Sequence, residues 1–386
     1  RCIVVPLTIL YALKPDWRLP ERVSVDELFK ARGAKIPAFR WDPQVVTWRN
    51  FFLLADVLFK VYESLPWKPL RKRALRRSRQ WLLDHLERSE GLGAIYPAML
   101  NAILALVALG FPPDHPLTAQ QRDFLADFEI EDRDTIRLQP CLAPVWDTAV
   151  AMVSLAEANV PPDDPAMVRG ARWLLDNQVV GGGDWQAKNP KAEPAGWAFE
   201  FRNDFYPDID DSAFVLMALN CASCPEAERM KFAIRKGLDW IISMQNRDGG
   251  WGSFDKNNDA AVLTGVPFAD HNAMIDPSTA DLTARVLECM GQAGYSPEHP
   301  AVARGVEFLK HDQTSEGAWY GRWGVNYIYG TSGVLRALEA LGLHNENFAR
   351  RGAAWLRSVQ NQDGGFGESI ASYDDPSLKG KGESTA

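Results

Sequence analysis

The sequence contains no stretch of about 20 uncharged apolar residues, so no part of it spans a bilayer as a helix. It has only five cysteines, at 2, 141, 221, 224 and 289. An odd number without regular spacing argues against a disulfide framework and fits reduced thiols in a cytosolic setting. Cys221 and Cys224 form a C-x-x-C pair before Pro225, but a second pair and a histidine at ligand spacing are both lacking. Two small apolar residues at a helix end are therefore a better reading than a redox or zinc site. Positive charge is also in deficit: the formal net charge of −8 argues against a general nucleic-acid binder. Strand signals are sparse, and no signal peptide is visible. The chain opens on Arg1 rather than Met and stops at Ala386 without a terminal signature, and it is read as a piece of a longer protein.

Aromatic residues are abundant: 14 Trp and 18 Phe are many for a soluble protein, and the Trp are spread along the chain. The spread reflects a repeat. Four segments share Arg/Lys-Gly, an aromatic, Gln five residues later, then Gly and an aromatic. They are Arg169-Gly170, Trp173, Gln178, Trp185; Lys236-Gly237, Trp240, Gln245, Gly250-Trp251; Arg304-Gly305, Phe308, Gln313, Gly317, Trp319; and Arg351-Gly352, Trp355, Gln360, Gly365-Phe366. A degenerate copy runs Arg79, Trp81, Leu86, Gly91-Leu92-Gly93, with the Gln replaced. Each unit places an apolar helix face before a Gly-rich break, where the Gln can bond unpaired backbone groups and the last aromatic packs over the turn. Further apolar helices are expected between copies, at 147–158, 213–219, 281–291 and 333–341. The pattern predicts an all-α stack of helix pairs, which closed into a ring makes an α/α barrel, or toroid. A boundary is expected near the Pro-rich joint at 112–116, giving domains 1–115 and 116–386.

Residues 48–62 are strongly apolar but too short to cross a bilayer. Trp67 and seven cations follow: Lys68, Arg71, Lys72, Arg73, Arg76, Arg77 and Arg79. An apolar helix, a Trp and a basic patch describe an anchor in one leaflet of a membrane. A core helix followed by a solvated basic helix describes the same residues.

The sharpest chemical signal is Pro207-Asp208-Ile209-Asp210-Asp211-Ser212-Ala213, three carboxylates in four residues at the start of an apolar helix. One Asp is accounted for by helix capping; three are not. Crowded carboxylates do not all ionise together, so one retains its proton and can act as a general acid. Mg²⁺ binding is the competing use of an Asp-rich motif.

The repeats resemble the QW repeats of triterpene cyclases, and Asp208-Ile209-Asp210-Asp211-Ser212-Ala213 matches that family's D-x-D-D-[TS]-A acid motif. Pro144-Val145-Trp146-Asp147-Thr148, Gly249-Gly250-Trp251-Gly252-Ser253-Phe254-Asp255, Asp276-Pro277-Ser278-Thr279-Ala280-Asp281-Leu282-Thr283 and Gly321-Arg322-Trp323-Gly324-Val325-Asn326-Tyr327 resemble squalene–hopene cyclases. The resemblance covers essentially the whole chain. Related oxidosqualene cyclases carry a single Asp followed by Cys, so the triple Asp favours the bacterial, squalene-using branch.

The resemblance implies a cofactor-free and metal-free cyclisation of squalene to hopene or hopanol by the main barrel. The remainder belongs to a second α-barrel domain with a membrane-facing helix. Asp210 delivers the proton, Asp208 and Asp211 orient it, and Asp281 and Asp147 support it. Arg285 stands where some members have a His that pairs with the acid. Trp146, Phe199, Phe254, Phe268 and Trp323, with Tyr329 and Trp197, match positions that stabilise the migrating cation. Phe254 stands where some relatives have Tyr. Ile95-Tyr96-Pro97 matches a segment near the end of the cascade, where some relatives have Gln before the Pro. The implied setting is the cytoplasmic side of a bacterial inner membrane, on its surface, with room for a homodimer. Two alternatives remain open: a cyclase of another linear polyprene, and a non-catalytic α/α scaffold.

Overall fold

The computed structural model describes residues 1–17, 39–266 and 274–384. The described chain is mostly helical and divides into two compact units. The first comprises residues 1–87, 91–141 and 260–275; the second comprises 88–90, 142–259 and 276–386. The joint at 112–116 lies within the first unit, and the chain leaves that unit after Cys141.

The first unit contains α1 (Val4–Leu13), α2 (Trp48–Ser64), α3 (Arg71–Glu87), α4 (Tyr96–Ala108) and α5 (Pro116–Ala126). A short hairpin follows, β1 (Glu129–Asp132) with β2 (Thr135–Leu138), antiparallel with Glu129 opposite Leu138. α1 packs on α3 and α4, around a core of Ile9, Leu82, Leu86, Leu92, Ala102, Ala105 and Leu106. Leu86, at the Gln position of the degenerate repeat, is buried in this core.

The second unit alternates inner and outer helices. The inner ones are α6 (Pro144–Glu157), α8 (Ile209–Asn220), α10 (Ala280–Gln292) and α12 (Tyr327–Ala340). The outer ones are α7 (Pro165–Asp176), α9 (Ala227–Ser243), α11 (Pro300–Asp312) and α13 (Asn347–Ser358). Each inner helix packs on the next inner helix and on the outer helix that follows it, which is α/α-barrel packing. Covered from both sides, α8 and α10 are buried almost all round. The outer α13 instead buries one stripe, Phe348, Ala349, Gly352 and Trp355, and turns Arg350 and Arg351 outward.

The repeat residues tie neighbouring outer helices together. Gln245 Nε2 donates to Gly249 O in its own turn and to Ala301 O of α11, both at 2.8 Å. Gln313 Nε2 does the same to Gly317 O and to Phe348 O of α13, and Gln178 Nε2 to Ala195 O and Ala233 O of α9. The Arg of the next copy completes the tie: Arg304 donates to Gln245 Oε1 and Arg351 to Gln313 Oε1. The Gly beside that Arg admits the preceding Trp. A Cβ on Gly305 would lie 3.0 Å from the Trp251 ring, and one on Gly352 2.5 Å from Trp319.

The same geometry corrects the first copy. Trp251 donates from Nε1 to Ile241 O, and its N–H bonds Thr283 Oγ1; Trp319 donates to Leu309 O, and its N–H bonds Thr331 Oγ1. Trp197, not Trp185, repeats this pattern, with Leu174 O and Ser212 Oγ as partners. A Cβ on Gly237 would meet its ring at 2.9 Å. An insertion after Gln178 displaces the repeat aromatic to residue 197. Trp197 is fully buried in this structural role, so it is removed from the candidate cation-stabilising residues.

Candidate active site

The chain enters α8 through an extended Asp208, whose N–H bonds Trp197 O at 2.9 Å while the Ile209 N–H bonds Ser253 O at 2.9 Å. Asp208 is the N-cap: its Oδ1 accepts the Asp211 N–H at 2.8 Å. Capping thus accounts for one carboxylate of the motif. Asp210 points elsewhere, and its Oδ1 accepts Arg285 Nε at 3.0 Å across the α8–α10 contact. The Arg285 guanidinium lies 4.0 Å from the Phe214 ring centre, and Phe214 meets Trp146 edge-to-face at 4.7 Å.

Burial governs the acidity of this cluster. It raises the Asp210 carboxyl above its ordinary range, while Arg285 pulls it back down. Burial pushes Asp208 up to about 7, and burial together with the facing Asp208 holds Asp211 well above the ordinary range. Asp208 Oδ2 and Asp211 Oδ1 are buried and take no hydrogen bond from any other described residue, so the two carboxyls have each other as partners. Burial thus favours retained protons in this cluster, while Arg285 is a fixed cation that favours the ionised form of Asp210. Among the described residues, no group of three or more His, Cys, Asp or Glu is arranged to hold a metal ion.

The other expected residues divide into three groups. Tyr329, on α12, lies close enough to Asp210 and Arg285 for both to act on its hydroxyl, which burial makes less acidic. Asp281 does not contact the acid directly: its Oδ2 accepts the backbone N–H groups of Arg322 and Trp323, both at 2.9 Å. It holds the loop that presents Trp323, whose ring meets Phe254 edge-to-face at 6.4 Å. Phe254 and Trp323 are 38% and 49% exposed, and Phe199 is half-buried, so all three have faces open to a ligand. Asp147 is exposed in the first turn of α6 and takes no part in the Asp210–Arg285 contact. Ile95, Tyr96 and Pro97 open α4 in the first unit, and Phe268 lies outside the described residues.

Two acidic residues, Glu200 and Glu288, escaped the sequence reading, and a third, Asp276, was read within a motif without a role of its own. Asp276 is buried and accepts the backbone N–H groups of Ser253, Phe254 and Asp255, fixing the Phe254 loop as Asp281 fixes the Trp323 loop. Glu200 is buried close to Asp208 and is pushed up to about 8 by burial. Glu288 is buried on α10. The available signal was an acid within an apolar run, as in Phe199-Glu200-Phe201 and Leu287-Glu288-Cys289.

Two family models match the chain: the squalene-hopene cyclase C-terminal domain over residues 142–386 and the N-terminal domain over residues 1–134. The chain belongs to the squalene-hopene cyclase family. A squalene–hopene cyclase from Zymomonas mobilis is 40% identical over 384 residues, covering 97% of this chain and 58% of the relative. A dammaradiene synthase from Dryopteris crassirhizoma is 41% identical, covering 99% of this chain and 58% of the relative. A squalene–hopene cyclase from Alicyclobacillus acidocaldarius is 38% identical, covering all of this chain and 60% of the relative. The chain thus spans under two-thirds of the length of these relatives, and family members this similar include enzymes named for different products.

Proposed function

We propose that the protein protonates and cyclises squalene, with Asp210 as the acid, giving hopene, hopanol or both. The observation that carries this reading is the Asp210–Arg285 pair at 3.0 Å beside two buried carboxyls that burial pushes toward the protonated form. The Asp210 O–H bond breaks, its proton adds to a terminal alkene carbon, and the adjacent carbon becomes cationic. Arg285 stabilises the carboxylate left behind, and Asp208 and Asp211 orient the acid. Positive charge then passes along the folded polyene past Trp146, Phe199, Phe254, Phe268 and Trp323. Each aromatic face contributes on the order of 0.5–2 kcal/mol without attacking the cation. Asp281 and Asp276 place two of these rings. Loss of a proton ends the cascade at hopene, and capture of water ends it at hopanol; Tyr96 stands at the segment matched to that end. The barrel is read as the second unit, from residue 142, and the second domain as the first unit, which moves the expected boundary at 115/116 to 141.

α2 supports a membrane-bound setting. Among the described residues no helix is long and apolar enough to cross a membrane. Yet α2 buries only Asn50 and Leu53 while exposing Trp48, Phe51, Leu54, Val57, Leu58, Phe59, Val61 and Tyr62. Trp67 and Leu70 are exposed beyond its end, followed by the exposed cations Lys72, Arg73, Arg76, Arg77 and Arg79. These features favour insertion into one leaflet, on the cytoplasmic face of a bacterial inner membrane. A homodimer on that surface is part of the same reading.

The test is incubation of the full-length protein with squalene in detergent, with products identified by mass spectrometry. A folded protein that yields no cyclised triterpene, or an Asp210→Asn variant with normal turnover, overturns the reading.

A further inference from the structure

The Asp210–Arg285 pair continues into a longer row of charges. Glu288, one turn after Arg285 on α10 and 2% exposed, has Oε2 3.7 Å from Arg285 Nη1. Its Oε1 accepts Arg336 Nε at 3.0 Å and Nη2 at 2.7 Å, from α12. Acidic and basic side chains alternate along the row: Asp210, Arg285, Glu288, Arg336. Glu288 sits between the buried Leu287 and Cys289, where an apolar residue would fill the same space without a desolvation cost. Burying it does little for stability by itself, so its use is sought in what it does to Arg285.

We propose that Glu288, clamped by Arg336, is a positioning residue that divides the Arg285 charge between itself and Asp210 and so sets the strength of the acid. The proposal rests on the reading of Asp210 as proton donor. Arg285 never gives up its own proton, so it acts on Asp210 only as a fixed charge. An undivided Arg285 charge would stabilise the Asp210 carboxylate strongly and leave little acid protonated at neutral pH. Glu288 withdraws part of that pull, and Arg336 limits how much it withdraws. The groups facing Asp210 are Asp208 at the N-cap of α8, Asp211 on α8, Arg285 and Asp281 on α10, and Tyr329 on α12. Those facing Glu288 are Arg285 and Cys289 on α10 and Arg336 on α12.

Infrared titration of the carboxyl C=O band that disappears in Asp210→Asn reads the Asp210 midpoint directly. Glu288→Gln should lower that midpoint by about one pH unit, because Arg285 then acts on Asp210 alone. Arg336→Gln, at a side chain 58% exposed, should raise it by a smaller amount. An unmoved or raised midpoint in a folded Glu288→Gln protein overturns the proposal. If that variant does not fold, an unmoved midpoint in Arg336→Gln overturns it instead. Squalene turnover by the full-length protein separates the two readings: its alkaline limb should follow the same shifts. Shifted midpoints without any cyclised product sustain the charge division and sink the cyclase reading.

Discussion

At the level of single residues, the acid motif divides its labour. Asp208 caps α8, Asp211 faces Asp208, and Asp210 alone reaches Arg285. In the proposed mechanism Asp210→Asn removes the transferable proton and keeps the shape, so product formation by the full-length protein should fall by about 10²–10⁴-fold with the melting temperature nearly unchanged. Glu200 gives a test of acidity without turnover. Its carboxyl ionises near 4.5 ordinarily and near 8 in the fold, so the stability it contributes is complete below about 4.5 and lost as pH rises through 8. Thermal melts should therefore show stability declining from pH 5 to pH 8, with a shallower decline in Glu200→Gln. An identical slope in both proteins would mean that Glu200 is already ionised in the fold.

At the level of elements, the repeat is a joint shared by two copies. The Gln and Trp of one copy use the Arg and Gly of the next at Arg304-Gly305 and Arg351-Gly352, whereas Lys236 of the Lys-Gly copy pairs with Glu193. Gln245→Ala should destabilise the protein by about 1–3 kcal/mol, because it strips the Ala301 carbonyl and Arg304 of a buried partner. Gly352→Ala should cost about 1–3 kcal/mol by forcing a methyl group against Trp319. Denaturant melts of the two variants check both. The helical pairs were legible from spacing, whereas the insertion that moves the first repeat aromatic to Trp197 was not. A search at fixed spacing finds Trp185, and only the bonds to Leu174 and Ser212 show which indole does the repeat's work.

At the level of the whole molecule, the exposed apolar surface of α2 and the cations of α3 predict binding to anionic vesicles. Lys72, Arg73, Arg76 and Arg77 are the residues to reverse, since Arg71 is already paired with Glu63. Changing all four to Glu should weaken binding by about 1 kcal/mol for each charge removed, most strongly at low salt, in a flotation assay. Unchanged binding would leave α3 as an ordinary solvated helix.

The sequence by itself determined the helical class, the repeat and the acid motif, because each is written in local spacing: apolar period, Gly breaks and three carboxylates within four residues. Tertiary structure brought Arg285 onto Asp210, the pair that the family resemblance had implied, and alone decided which residues support the aromatic loops. Arg285 lies 75 residues from Asp210, and Asp281 lies 41 from Arg322. Contacts at such separation depend on which inner helices become neighbours. For the same reason Asp276 and the acids within apolar runs, Glu200 and Glu288, acquired a purpose only with packing. A buried charge is intelligible once its partner is known, and the partners come from other helices and loops.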